Sequence, residues 1–278
     1  MTTSERLPCL FIPHGGGPCF SIQFPPPFRK DSWSAMAEFL RQTGRLADAS
    51  VRAILVISAH WDADIPTVLS AEHHSLYFDY YGFPEHTYQL KYLAKGSPAV
   101  AACVTALLKT AGITSATEKQ RGLDHGVFIP FMQMFPRADI PIVQLSLCSN
   151  MDPLKHIAIG KALEPLRDEG VLIIGSGMSY HNMREFMQPG DSGIAAAEFD
   201  KWLTATITDP DSTARNQDLG RWRTAPHSKS CHPDPEHLLP LHVVAGAAGE
   251  DIGRQVYRDQ IVGKAISGYQ FGQSTNQN

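Results

Sequence analysis

The stretch AILVISAHWD, residues 53–62, decides how the rest of the chain is read. The segment 53–59 holds only aliphatic and small residues. It is too short for a buried helix, suits a strand covered on both faces, and runs straight into a histidine. Three other stretches have the same form. CLFIP (9–13) leads into HGGGP, PIVQLSL (141–147) into CSN, and VLIIG (171–175) into SGMSYHN. The pattern predicts an α/β fold, a central mostly parallel mixed sheet flanked by helices, with the active site at the strand C-terminal ends, where open α/β sheets place their ligands.

The intervening segments carry helical periodicity. Helices are expected over 33–46 with Ser32 as N-cap, and over 99–111 behind Pro98 and ending at Gly112. Others are expected over 153–168, over 193–207 capped by Asp191 or Ser192, and over 236–248 behind Pro235. The segment 75–86 is aromatic and aperiodic and reads as a packed loop, while Pro25 to Pro27 form a local stiff bend. With no repeat or linker, residues 1–278 are read as one catalytic domain, its motifs running from about 9 to 248 and its tail, 272–278, frayed.

Composition excludes several classes. Hydrophobic residues make up 43% and charged residues 19% of the 278, so the chain is neither disordered nor supercharged. A net charge of -4 without a basic run argues against nucleic acid. The first residues do not read as a signal peptide, and no apolar stretch reaches the ~20 residues of a membrane span. Five scattered cysteines without a CxxC pair argue against a disulfide framework. A cytoplasmic enzyme, monomeric or a small homo-oligomer, is expected.

Twelve histidines carry the chemical information. His14, His60 and His181 each follow a predicted strand, so parallel pairing would bring them together from distant parts of the sequence. His14 precedes three glycines that clear space beside it; alone it also fits a glycine turn without function. His125 sits next to Asp124, and His237 next to Glu236 at the start of the last helix, facing inward. His232 is expected outside the ligand set, second to it or in solvent. His73, His74, His86, His156, His227 and His242 are read as structural or exposed. Neutral imidazoles suit iron, zinc, copper or nickel, whereas magnesium and calcium require carboxylates. Iron oxygenases and zinc hydrolases both need such a set with an open side, and spacing does not separate them. The absence of HExxH removes the common zinc-protease helix.

HGGGP (14–18), SAHW (58–61), YGFPEHTYQLKYLAKGSP (81–98), GLDHG (122–126), IPIVQLSL (140–147), SGMSYHN (176–182) and PDPEHLLPL (233–241) occur in one order. Together they resemble the class III extradiol ring-cleaving dioxygenases, most closely the DOPA 4,5-dioxygenase branch. The resemblance implies a mononuclear Fe(II) centre, with zinc able to replace iron in the purified protein, a catechol-type aromatic diol substrate and dioxygen. It implies His14, His60 and His237 as metal ligands, His181 as a further ligand or catalytic acid/base, and His125 as a catalytic residue facing the substrate. Some relatives use a carboxylate as third ligand, which brings in Glu236. The aromatics Tyr77, Phe78, Tyr80, Tyr81 and Phe83 could wall the substrate or cover the core. Arg121, Lys229, Tyr80 and Arg184 are candidates to meet a carboxylate or amine on it. A zinc hydrolase and a non-catalytic binding protein of the same fold are the alternatives, and the presence of all five site histidines weighs against the second.

Overall fold

The aliphatic run at 53–59 forms the first part of a strand that continues to Ala63, so His60 lies within the strand instead of ending it. The computed structural model describes residues 6–47, 50–186 and 192–273. In chain order it runs β1 (Cys9–Pro13), α1 (Ser34–Gly44), β2 (Ala53–Ala63), β3 (Thr67–Leu69), α2 (Pro98–Thr110), β4 (Ala116–Glu118) and α3 (His125–Met134). There follow β5 (Ile142–Cys148), α4 (Pro153–Leu163), β6 (Val171–Gly177), α5 (Met183–Phe186), α6 (Ser192–Ile207), α7 (Ser212–Gly220), α8 (Ser228–Cys231), α9 (Leu239–Ala247), β7 (Gly253–Ile261) and β8 (Lys264–Phe271).

The strands join one eight-stranded sheet in the order β4-β3-β5-β2-β6-β1-β8-β7. The four aliphatic strands form its centre, β5-β2-β6-β1, all parallel. Antiparallel pairs enter at β3–β5 and through β8 and β7, giving the mixed, mostly parallel α/β sheet that the pattern predicts. Two-sided burial explains the unbroken apolar runs, for every residue of β1, β5 and β6 is buried. On the sheet, α9 packs against β6 and β1 with α4 behind it, and α3 packs against β2 and β6 with α1 beside it.

Several helix limits differ from the expectation, each for a local reason. α1 begins at Ser34 with no side-chain cap, because the Ser32 hydroxyl accepts from the Arg29 amide instead. α2 starts one residue early, at Pro98, with Ser97 accepting from the Val100 amide. The helix expected to reach residue 168 breaks after Leu163 into a 3-10 turn at Pro165, whose ring lacks an amide hydrogen. The last helix begins at Leu239, with Pro240 in its first turn, three residues after the expected start. Asp191 as a cap, the Ser192 side chain and tail residues 274–278 lie outside the described residues.

Candidate metal centre

The register of the central strands sets three segments level. Ile12 and Ser58 both face Ser176 across β6, which puts His14, just past β1, beside the last residues of β6 and the far part of β2. Between Ile57 and Asp62 the pairing of β2 with β5 slips, and His60 sits in that irregularity; two residues on from Ser58, its ring shares that residue's face of the strand, and both side chains lie against Gly126. His237 arrives on the turn before α9. A Cβ at Gly177 would overlap the His237 carbonyl, so this glycine permits the close approach, and the Met178 amide donates to that carbonyl at 3.0 Å. Gly15, with φ of 80°, makes the sharp turn after His14, where a side chain would run into Cys19.

The three imidazoles meet through one nitrogen each. Nε2 of His60 lies 3.2 Å from Nε2 of His14 and 3.3 Å from Nε2 of His237. The opposite nitrogens decide the tautomers. Ser176 Oγ donates to the Gly126 carbonyl, so toward His14 Nδ1, at 3.0 Å, it accepts, and Nδ1 holds the proton. His237 Nδ1 faces Glu236 Oε1 at 2.9 Å, and His60 Nδ1 faces Asp79 Oδ2 at 3.5 Å. Carboxylates only accept, so each Nε2 presents a lone pair to the other two. Burial, reinforced by the neighbouring imidazoles, holds His14 and His237 well below the ordinary histidine pKa and takes His60 down to about 4. All three are therefore the neutral, ligating form at neutral pH.

Three converging lone pairs repel one another unless a cation sits among them. Two nitrogens ~2.1 Å from one ion and 90–110° apart would be about 3.0–3.4 Å from each other, which matches the separations here. The donor set thus fits a single metal ion, held on one side by protein.

Two further imidazoles flank the triangle. His125 opens α3 and donates from Nδ1 to Asp79 Oδ1 at 2.8 Å, while its amide donates to the same oxygen at 2.9 Å. Burial disfavours the Asp79 carboxylate, but the hydrogen bonds and the adjoining imidazoles outweigh it and leave its pKa below the usual value. The same balance applies to Glu236, where burial is outweighed chiefly by His181. His181 stacks on His237 with ring centroids 3.3 Å apart and points Nδ1 at Glu236 from 3.4 Å. Potential ligand atoms group as His14, His60, His237; as His60, Asp79, His125; and as His181, Glu236, His237.

Beneath the site, Asp124 is fully buried and accepts from Ser58 at 2.6 Å, from Gln144 at 2.5 Å and from Arg121 at 2.9 Å. Arg121 also donates to the His60 carbonyl at 2.7 Å and lies against Trp61 and Tyr77, so it braces the site from below. Of the residues expected to meet a substrate charge, only Tyr80 lines the cavity over the imidazoles; Arg121, Lys229 and Arg184 do not, the last two being exposed, with Arg184 next in sequence to the cavity residue Met183. Tyr80, Tyr81 and Phe83 form part of that wall, whereas Tyr77 and Phe78 do not.

Of the two places expected for His232, behind the ligand set or in solvent, solvent is excluded: the residue is fully buried, with Nε2 donating to the Ser179 carbonyl at 3.0 Å. His74, His156 and His242 are buried on backbone partners, and His73, His86 and His227 are exposed. The sequence reading passed over Ser176 and Asp79, which fix the tautomers of His14 and His125. The only signal for Asp79 was a carboxylate inside an otherwise aromatic loop.

A family model described as the catalytic LigB subunit of aromatic ring-opening dioxygenase matches residues 8–273. The chain belongs to this family. It is an enzyme of the class III extradiol, ring-opening dioxygenases, a metal-dependent family whose need for an ion the histidine cluster can meet. A 4,5-DOPA dioxygenase extradiol of Beta vulgaris is 42% identical over 247 residues, covering 87% of each chain. Dioxygenase tasH of Hapsidospora irregularis is 36% identical, over 98% of this chain and 88% of its own. The crystal structure of an uncharacterised protein of Escherichia coli K12 superposes with a TM-score of 0.74 at 28% identity, covering 96% of this ring-opening dioxygenase and 100% of that chain. Among the described residues no helix is long and apolar enough to cross a membrane.

Proposed function

We propose that this dioxygenase holds iron(II) through His14, His60 and His237 and opens the ring of a catechol next to its two hydroxyl groups, using dioxygen. The carrying observation is the set of three Nε2 lone pairs aimed at one another, 3.2 and 3.3 Å apart. When bound, iron(II) supplies a Lewis acid for the diol and open positions for substrate and dioxygen.

The protein groups around it handle protons and orientation. With Nδ1 donating to Asp79, the neutral tautomer of His125 keeps its lone pair on Nε2, and in that form this cavity-lining residue can accept a phenolic proton. His181, stacked on His237 and backed by Glu236, is assigned to the return of a proton during ring opening instead of to the ligand set. Glu236 is occupied by the Nδ1 atoms of His181 and His237, which supports a role in orienting them over a role as third ligand. Catechols as the substrate class are supported by relatives named 4,5-DOPA dioxygenase extradiol. The five cysteines are all free thiols, which supports a reducing, cytoplasmic setting.

Three imidazoles with an open side are also the donor set of some zinc hydrolases, so the metal is part of the test. Protein loaded anaerobically with iron(II) is expected to consume oxygen and form yellow ring-fission product from at least one catechol. His14→Ala should keep its fold and lose the metal. Full metal content in that variant, or turnover with zinc in the absence of oxygen, would replace the proposal.

A further inference from the structure

We infer that the catechol this enzyme takes carries an uncharged, largely apolar substituent, and not an amino-acid or carboxylate side chain. The inference rests on the catechol reading above and concerns the part of the same cavity that extends away from the imidazoles. The cavity holds about 460 Å³, within the range of sites that enclose a substituted ring and not merely a diol. Its outer wall is an aromatic box. Phe28 stacks on Trp33 at 5.6 Å and on Phe186 at 5.9 Å, and Phe24 meets Phe83 edge to face at 6.0 Å. At the rim stand Tyr81 and Met183, 91% and 59% exposed.

Among the described residues, no Lys, Arg, Asp or Glu lines this cavity. The Tyr80 hydroxyl is engaged with the Thr87 carbonyl at 2.6 Å. Asp79 and Glu236 are held by imidazoles, and Arg121 by Asp124 and the His60 carbonyl. A cation is tolerated over ring faces, but a carboxylate among the aromatic walls meets their negative side and, among the described lining residues, no Lys or Arg to pair with, after losing its water; Arg184, exposed beside Met183, stands outside that lining. A flat or aliphatic substituent meets matching walls instead.

The test compares 4-propylcatechol, 3,4-dihydroxyphenylpropanoate and 3,4-dihydroxyphenylalanine on the iron-loaded enzyme. kcat/KM should favour 4-propylcatechol over both charged diols by about tenfold or more, the size of effect expected for one unpaired charged group. Anaerobic calorimetry should give the same order of Kd values. Equal or better use of the carboxylates would overturn the inference. If no diol is opened, the dioxygenase proposal fails, and the anaerobic binding order alone decides this one. Met183→Arg, on the exposed rim, should raise the relative affinity for the propanoate at least threefold; an unchanged ratio would refute the lack of a cation as the cause of selectivity.

Discussion

Replacing Ser176 by alanine removes one oxygen and orphans two buried groups. Its hydroxyl donates to the Gly126 carbonyl and accepts from His14 Nδ1 at 3.0 Å, and Ser176 and His14 are 0% and 1% exposed. Each buried polar group left without a partner costs about 1–3 kcal/mol. Two such groups, partly relieved by local adjustment, give an expected loss of about 2–4 kcal/mol in the stability of the metal-free protein. The second effect is on the metal. Once Ser176 no longer holds the proton on Nδ1, His14 can shift it to Nε2 and lose its lone pair toward the centre. Loss of such an orienting partner lowers metal affinity by about 10–100-fold. Urea unfolding of the metal-free protein measures the first quantity, and competition with a metallochromic chelator the second. A variant within about 0.5 kcal/mol of the parent and with undiminished metal affinity would refute the tautomer argument for His14.

Two predictions concern the scaffold. Arg167, 1% exposed, donates to the carbonyls of Leu7 at 2.7 Å, Ala247 at 3.1 Å and Ala248 at 3.0 Å, and pairs with Asp251. Arg167→Leu should cost about 3 kcal/mol or more in urea unfolding, and a loss under 1 kcal/mol would show that these carbonyls find other partners. Burial takes His232 down to about 3 and His242 down to about 4, against weaker backbone hydrogen bonds that raise them. Because the unfolded chain binds these protons first, stability is full above about pH 6.5 and falls as pH drops toward 4, by up to about 1.4 kcal/mol per pH unit per histidine. Thermal melts of the metal-free protein that stay level from pH 6.5 to 4.5 would contradict this.

The centre of the sheet and the gathering of histidines were legible because two-sided burial writes itself as unbroken apolar runs, and a polar ring at the end of such a run stands out. The margins were not. In β8 every residue is buried, yet Lys264, Ser267 and Gln270 are among them, and its pairing with β7 carries a register shift, so neither alternation nor a clean apolar run appears. α3 contains Pro130, which argues against a helix from sequence, and β3 and β4 are each three residues long. In the site, a strand-end histidine announces itself, but the carboxylate bound by Ser58 beneath His60 and the hydroxyl that orients His14 are contacts across 66 and 162 residues of chain.

His14 and His60 are 46 residues apart, and His60 and His237 are 177 apart. A chain emerging from the ribosome therefore cannot assemble the three-histidine set: the nitrogens become neighbours only after nearly the whole polypeptide has been made and the sheet has closed. Metal capture comes after folding, and since the unfolded chain competes poorly for the ion, supply of metal draws the population toward the native form by mass action alone.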